Sequence, residues 1–339
     1  MDLLLETLGF AAKGFIIFLT AIATVAVVVA LTRRRRAAFP RLDVKPLNKR
    51  FEALGEALRH GVLDRKQLKA LHREKKKQHK VNTAADAARK NVYVLDFDGD
   101  LMATGVTSLR EEISAITAVA RPEDEVVVRL ESPGGAVPHY GLAAAQLARL
   151  REKKVRLTVC VDRVAASGGY MMACVADHIV AAPFAIVGSI GVVAQVPNVH
   201  KLLKKHDVDF EEMTSGEFKR TVSFFGEITD KGRQKFTEQL EETHLLFKDF
   251  VHSQRPALDV SRVSTGEYWL ARRGLELGLV DQLATSDEYL LSRVADANLF
   301  QVHFKPHEGW RTRIGRAGAE VLERVAVTVW SRLQTLQLR

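Results

Sequence analysis

Short apolar runs rich in valine and isoleucine alternate with segments of helical spacing in the middle of the chain. The runs predict four strands, and the segments between the first three predict helices. The predicted strands cover residues 91–97, 125–130, 155–161 and 178–182, and the predicted helices cover 109–120 and 142–151. Strands and helices in this order are typical of a parallel sheet with helices on both faces, so the sequence predicts an α/β fold.

The pattern is mainly helical on both sides of this region. After residue 208 it predicts a long amphipathic helix over residues 230–251 and a shorter helix over 267–278. Before the first strand, leucine spacing over residues 51–80 predicts a pair of basic helices with a break near Gly61. Residues 40–46 have the composition of a linker.

The N-terminal region contains a long uncharged segment. Residues 14–31 carry no charge, and residues 8–12 can extend this run to the length that spans a bilayer. A cleaved signal peptide would need a basic start, whereas this chain starts with Asp2 and Glu6. We therefore expect an uncleaved single-pass anchor over residues 8–32. Four arginines follow it, and the positive-inside rule places their side in the cytoplasm.

The chain of 339 residues has a net charge of +9, and the basic excess lies beside the predicted anchor. Residues 33–90 contain nineteen lysines and arginines against six acidic residues, a net charge of +13. Anionic lipid head groups attract such a segment by about 1 kcal/mol per basic residue near the surface. The basic run at 73–80 has no interleaved aromatic residues, so it fits a solvated helical face better than a nucleic-acid site. Membrane lipid is the expected partner.

Cysteine usage excludes two classes of protein. Cys160 and Cys174 are the only cysteines, and both lie in apolar runs, as small core residues do. This spacing fits neither a disulfide framework nor a zinc site. We expect no metal and no cofactor.

Ser167 is the first candidate for chemistry. It lies where an apolar strand passes into an apolar helix, among small residues that let a substrate approach closely. The N-terminus of a helix also favours developing negative charge, which suits a nucleophilic serine. The alternative is that Ser167 only caps the helix.

A second glycine turn, Gly134-Gly135, follows the strand at 125–130. Its backbone N–H groups could form an oxyanion hole beside Ser167, or the turn could simply connect strand and helix. A base for the serine is less obvious, because the histidines downstream, starting with His178, lie in ordinary helical or strand contexts. Lys219 is the other candidate. A solvated lysine has a pKa of about 10.4 and would need burial or a positive neighbour to act as a base.

Four motifs together resemble the signal peptide peptidase A (SppA) family of serine-lysine peptidases. They are Ser132–Gly135, Val164–Tyr170, Gly188–Val192 and Ser215–Lys219. The anchor, the basic spacer and the acidic stretch at 96–100 resemble the SohB branch of this family. The resemblance covers roughly residues 92–290, with the motifs in the family's order.

The resemblance implies a ClpP/crotonase-like fold and a serine endopeptidase with a Ser-Lys dyad. It makes Ser167 the nucleophile, Lys219 the general base and Ser189 the residue that orients the lysine. It places Gly134 or Gly135, with Gly168, in the oxyanion hole. The groove for an extended peptide would be lined by Val187, Gly188, Ile190, Gly191 and Val192.

Family members are membrane-associated oligomers, so the resemblance implies a homo-oligomer that cleaves short or unfolded peptides. Single-domain relatives share each site between subunits, so we expect Ser167 and Lys219 of one chain to lie apart. The resemblance also implies the bacterial cytoplasmic (inner) membrane. SppA itself faces the outside of that membrane, whereas the charges here favour the cytoplasmic side, so the side of the active site stays open.

Four regions are therefore predicted. An anchor (8–32) is followed by a basic helical spacer (33–90), a peptidase domain (91–290) and an amphipathic tail (291–339) that fits either a membrane surface or a neighbouring subunit. Two other functions use the same features. A crotonase-like acyl-CoA enzyme would need the oxyanion hole but no Ser-Lys pair, and an inactive membrane scaffold would need neither.

Overall fold

The computed structural model describes residues 42–71 and 89–305, together with the isolated residues Thr20 and Thr24. Residues 43–303 form one compact unit. A second unit comprises residues 1–42 and 304–339, of which the structure describes five residues: Thr20, Thr24, Leu42, Phe304 and Lys305.

Ten strands and nine helices are named in the described residues. The strands are β1 (Leu42–Pro46), β2 (Lys90–Asp98), β3 (Glu125–Glu131), β4 (Arg156–Val161), β5 (Val164–Ala166), β6 (His178–Ala181), β7 (Ile186–Gly188), β8 (Tyr268–Leu270), β9 (Gln282–Leu283) and β10 (Ala297–Phe304). The helices are α1 (Leu47–Val62), α2 (Val106–Val119), α3 (Val137–Glu152), α4 (Gly168–Ala173), α5 (His200–Lys205), α6 (Asp230–Gln254), α7 (Val260–Val263), α8 (Ala271–Glu276) and α9 (Ser286–Arg293). Residues 65–71 are also helical.

The main sheet has seven strands in the order β1-β10-β2-β3-β4-β6-β9. The five pairings from β10 to β9 are all parallel. Strands buried on both faces need apolar residues without alternation, and the central strand β3 supplies Val126, Val127 and Val128, each 0% exposed. The predicted α/β fold with a parallel sheet is confirmed.

A second, three-stranded sheet positions the site. Its order is β5-β7-β8, with β5 and β7 parallel and β8 antiparallel to β7. It joins the end of β3 through Ser132, whose N–H donates to Val164 O at 2.8 Å and whose carbonyl accepts from the Ala166 N–H at 3.0 Å. The ends of β3, β5 and β7 therefore lie side by side, and a turn follows each of them.

Three elements differ from the sequence prediction. The expected linker at 40–46 contains strand β1, and the expected helix over 267–278 begins with strand β8, so that α8 covers only Ala271–Glu276. Strand β10 pairs with β2 beyond residue 290, so the main sheet extends into the segment predicted as a tail. Strands at a sheet edge or of three residues give little periodicity, which explains why the pattern missed β1 and β8.

Part of the predicted spacer also belongs to the compact unit. Leu47 at the start of α1 is buried, and the Asn48 side chain bonds the last strand. Its Nδ2 donates to Ala297 O at 3.0 Å, and its Oδ1 accepts from the Leu299 N–H at 2.7 Å. Helix α1 is thereby attached to β10 across some 250 residues of sequence.

The predicted anchor and most of the predicted tail lie outside the described residues. Of residues 8–32 the structure describes only Thr20 and Thr24, and residues 306–339 are not described. Across the described ranges 42–71 and 89–305, no helix combines the length and the apolar character that crossing a bilayer requires.

An ion pair holds the end of α6 against the main sheet. Arg255 donates two hydrogen bonds to Asp281, at 2.8 and 2.6 Å, and Asp281 Oδ2 also accepts from the Ile179 N–H at 2.7 Å. Burial alone would raise the pKa of Asp281, but the hydrogen bonds from Arg255 and Ile179 outweigh it and hold that pKa below its ordinary value.

We expect Asp281→Asn to lower the free energy of unfolding by about 2 kcal/mol at pH 7, because it leaves the Arg255 charge partly buried without its partner. An aspartate with a lowered pKa in the folded state stabilises the fold above its unfolded pKa, and this contribution is lost as pH falls through the folded value. Denaturant unfolding at pH 7 and pH 3 should therefore show a smaller pH effect in the variant. Asp249→Asn is the control, since Asp249 is exposed on α6 without a hydrogen bond or ion pair to the described residues. An equal pH effect in Asp281→Asn and wild type would contradict the assignment.

Candidate active site

Three turns meet at one end of the second sheet and form the candidate site. The turn after β3 carries Gly134 and Gly135, the turn after β5 carries Ser167, and the turn after β7 carries Ser189. Backbone hydrogen bonds connect them, because the Ser167 N–H donates to Gly188 O at 2.8 Å. All three turns line the same open groove of about 750 Å³.

Ser167 has an unusual backbone conformation. Its φ is +52° and its ψ is −119°, in a region that a residue with a side chain seldom adopts. Helix α4 starts at the next residue, yet the Ser167 side chain makes no capping hydrogen bond. Ser167 is therefore not an ordinary N-cap. A strained residue whose side chain serves no local structural purpose is a candidate for function.

Gly134 lies directly against the Ser167 turn. Its φ is +94°, and a Cβ at this position would come within 2.8 Å of Gly168 N and of Ser167 Cβ. No side chain fits there, so only glycine allows the two turns to approach this closely. The Gly134-Gly135 turn and the start of α4 are therefore adjacent, as an oxyanion hole requires.

The three glycines predicted for the oxyanion hole differ in the state of their N–H groups. The Gly134 N–H donates to Ser132 Oγ at 3.1 Å. The N–H groups of Gly135 and Gly168 have no acceptor among the residues at 42–71 and 89–305. Two donors beside a serine are thus left available for a ligand, and Gly134 is not one of them.

The segment after β7 also lines the groove. Ser189, Ile190 and the next residues follow the strand, and Ser189 also has a positive φ of +52°. The groove is lined by Leu101, Met102, Val192, Val193, Thr265 and Gly266 in addition to the three turns. Of the residues predicted for the groove, Gly191 and Val192 line it, whereas Val187, Gly188 and Ile190 are buried and do not line it.

His244 is a residue that sequence reasoning did not single out. It projects from α6, and within the described part of the chain it is the only titratable side chain lining the groove. Its Nε2 lies 3.2 Å from Ile190 O. The helical spacing of α6 put His244 on a half-buried face, but nothing in the sequence indicated that this face meets the groove.

Lys219 lies outside this arrangement. It sits in an exposed segment without regular structure between α5 and α6, and its N–H donates to Gly216 O at 3.1 Å. No hydrogen bond joins Lys219 to Ser167 or Ser189 in the described residues. The expected separation of Ser167 and Lys219 within one chain is thus consistent with the structure, and no lysine of the described segments lines the groove.

The two cysteines are buried in the core, away from this chemistry. Burial raises the pKa of the Cys174 thiol to about 12, and it also raises the pKa of Cys160. The described residues contain no group of three or more His, Cys, Asp or Glu side chains that could hold a metal ion.

Comparison with known proteins gives the family. The N-terminal model of peptidase family S49 matches residues 2–147, and the main model of that family matches residues 149–299. A probable protease SohB of Haemophilus influenzae is 47% identical over 335 residues, which cover 95% of this chain and 94% of that protein. A probable protease SohB of Buchnera aphidicola subsp. Schlechtendalia chinensis is 46% identical over 305 residues, which cover 86% of this chain and all of that protein.

Similarity to solved structures is weaker. The structure of a ClpP1 mutant from Listeria monocytogenes aligns with a TM-score of 0.36 and 10% identity over 62% of this chain and 99% of that one. The two family models cover most of the chain between them, and the Haemophilus relative extends over nearly all of it. The chain therefore belongs to peptidase family S49, as an SppA/SohB-like peptidase.

Proposed function

We propose that this peptidase is a membrane-anchored serine endopeptidase with Ser167 as nucleophile and Lys219 as general base. One observation carries the proposal: a strained serine without a capping role faces a groove beside two backbone N–H groups that have no acceptor in the described residues. A nucleophile adjacent to preorganised donors is the arrangement that acyl transfer needs.

The reaction proceeds in two halves. Ser167 Oγ bonds to the peptide carbonyl carbon while its proton passes to the neutral amine of Lys219. The N–H groups of Gly135 and Gly168 hold the resulting oxyanion. When this intermediate collapses, the C–N bond breaks and the leaving amine takes the proton from Lys219. Water then attacks the acyl-enzyme ester while Lys219 again accepts the proton. This step releases the carboxylate product and restores Ser167.

The substrate is a short or unfolded peptide in extended form. The segment after β7 offers backbone groups along the groove, and an extended peptide can add to such an edge as a strand. Leu101 and Met102, which also line the groove, are 71% and 47% exposed, so apolar side chains of the peptide have surface to cover. Proximity to the bilayer, through the anchor and the basic spacer, favours membrane-associated peptides such as signal-peptide remnants.

Lys219 reaches Ser167 from a neighbouring subunit. Support comes from the segment that carries it, which exposes large apolar side chains: Met213 is 90% exposed, and Phe210, Phe218, Phe224 and Phe225 are each about 40% exposed. Apolar surface of this kind marks an interface. Burial against a second copy would cover these side chains and remove water from Lys219, which favours its neutral, basic form.

A fluorophosphonate probe tests the proposed function against its two alternatives. The assembled protein should be labelled covalently, and the label should be found on the peptide that contains Ser167. An acyl-CoA enzyme or an inactive scaffold on the same fold would not be labelled there. Labelling of a residue other than Ser167 would contradict the assignment.

Mixing two inactive variants tests the shared site. We expect Ser167→Ala and Lys219→Ala oligomers, once dissociated and reassembled together, to recover up to about a quarter of the wild-type activity. The physical reason is that some interfaces pair an intact serine with an intact lysine. Mixing Ser167→Ala with a double variant, Ser167→Ala/Lys219→Ala, is the matched control and should give none. If mixed oligomers form without recovering activity at any ratio, each chain builds its own site.

A further inference from the structure

The Gly134-Gly135 turn is attached to the protein by a buried chain of hydrogen bonds. The Gly134 N–H donates to Ser132 Oγ at 3.1 Å, and Ser132 Oγ lies 2.6 Å from Tyr140 Oη. Tyr140 Oη donates to the Asp100 carbonyl at 2.7 Å. Ser132 and Tyr140 are both 0% exposed, so water does not compete for these groups.

The direction of this chain is determined by its two ends. The Asp100 carbonyl can only accept, so the Tyr140 proton points toward it. Ser132 must therefore give its own proton to Tyr140 Oη, which leaves its lone pairs for the Gly134 N–H. Every donor and acceptor has one role, and hydrogen bonds in such a series strengthen one another.

The turn is also held on the other side of Gly135. The Ala136 N–H donates to Leu101 O at 2.8 Å, next to the carbonyl that accepts from Tyr140. A Cβ on Gly135 would come within 2.2 Å of that same Leu101 oxygen. The N–H groups of Gly134 and Ala136, on either side of Gly135, are thus bonded to the 100–101 loop, that of Gly134 through Ser132 and Tyr140. The Gly135 N–H between them has no acceptor in the described residues.

Tyr140 contacts the second donor as well. A Cβ on Gly168 would lie 2.4 Å from Tyr140 Cγ, so the ring lies directly behind the first turn of α4. The hydroxyl of Tyr140 acts on the Gly134 turn and its ring supports the Gly168 turn. One buried side chain therefore sets the positions of both free N–H groups relative to each other.

We propose that Ser132 and Tyr140 are positioning residues of the oxyanion hole, which aim the N–H groups of Gly135 and Gly168 at the developing oxyanion. The proposal rests on the proposed function, since it assumes that Ser167 attacks a carbonyl beside these donors. Neither side chain lines the groove, so neither should affect the binding of the ground-state peptide.

Tyr140→Phe and Ser132→Ala test this in the full-length protein. Tyr140→Phe keeps the ring behind Gly168 and removes only the hydroxyl. Loss of a whole oxyanion donor costs about 10² to 10³ in kcat, and a misplaced donor costs less, so we expect kcat to fall about 10- to 100-fold. KM should stay within about twofold. Affinity for a peptide boronic acid, whose tetrahedral adduct on Ser167 places an oxygen in the hole, should fall by the same factor as kcat.

Tyr170→Phe is the matched control. Tyr170 is also fully buried, and its hydroxyl donates to the Leu279 carbonyl at 3.0 Å, away from the Gly134 turn. It should lose as much thermal stability as Tyr140→Phe but keep its kcat. The double variant Ser132→Ala/Tyr140→Phe should be about as slow as the slower single variant, because both act through one chain.

Three results would overturn the proposal. The first is a kcat within twofold of wild type in folded Ser132→Ala and Tyr140→Phe, and the second is an equal loss of kcat in Tyr170→Phe. The third is a rise in KM in the two variants while their affinity for the boronic acid is unchanged. A failure of the proposed function itself is distinguishable, because Ser167→Ala would then remain active. If Ser167→Ala is inactive while Ser132→Ala and Tyr140→Phe are normal, only the positioning role is wrong.

Discussion

Replacing Ser167 with alanine should reduce kcat/KM by about 10⁴-fold or more while the protein stays folded. The hydroxyl is the attacking group, and removal of a serine nucleophile leaves only the catalysis that binding and the oxyanion hole provide. Thermal stability should change little, because the Ser167 side chain caps no helix and alanine keeps the Cβ that the turn already accommodates. Peptide hydrolysis and a melting curve on the same purified sample measure both.

Ser253→Ala is a suitable control for this variant. Ser253 is exposed on α6, and its hydroxyl donates to the Phe250 carbonyl one turn earlier. It should behave as wild type in both assays. Turnover near the wild-type rate in folded Ser167→Ala, with contaminating peptidases excluded, would remove Ser167 from the mechanism.

Lys219→Arg should be nearly as inactive as Lys219→Ala, with a loss of about 10² to 10⁴ in kcat. Arginine keeps the positive charge and much of the length of lysine, but it holds its proton at any accessible pH and cannot act as a base. A role of Lys219 in charge or packing alone would leave the arginine variant active. Lys201→Arg, on the exposed surface of α5, is the matched control and should have no effect.

His244 supplies the alternative outcome of this experiment. It lines the groove of its own chain, whereas Lys219 does not. His244→Gln keeps a donor that can reach the Ile190 carbonyl and removes the imidazole as a base. If this variant loses kcat by about 10²-fold or more while Lys219→Arg keeps it, the base is His244 and the site needs no second chain.

The positions of the chemical groups could be predicted because they follow from strand order. Ser132–Gly135 and Ser167 follow the apolar runs that became β3 and β4, and parallel strands bring their carboxyl ends to one edge of a sheet. The turn residues were therefore recognisable from local pattern. The same reasoning gave α2 and α6 with bounds within three residues of the observed ones, whereas α3 begins at Val137, five residues earlier than predicted.

Other parts of the site could not be predicted, for different physical reasons. Strands β5, β7 and β8 have three residues each, which is too short for any periodicity, so the second sheet was not foreseen. The positive φ of Ser167 and Ser189 is imposed by neighbouring turns and not by residue type. Whether the Gly134 or the Gly135 N–H is free depends on Ser132, whose side chain direction is a tertiary property. The groove contact of His244 depends in the same way on how α6 packs.

The attachment of Asn48 to β10 has a consequence for biosynthesis. Asn48 leaves the ribosome about 250 residues before Ala297 and Leu299, the strand residues to which its side chain is hydrogen-bonded. Strand β2 likewise pairs with β10, so this edge of β2 stays open until residues 297–304 have been synthesised. Pairings this distant in sequence form slowly, and an open strand edge is prone to wrong pairing. The nascent chain therefore has its serine turn well before strand β10 completes the pairing of β2.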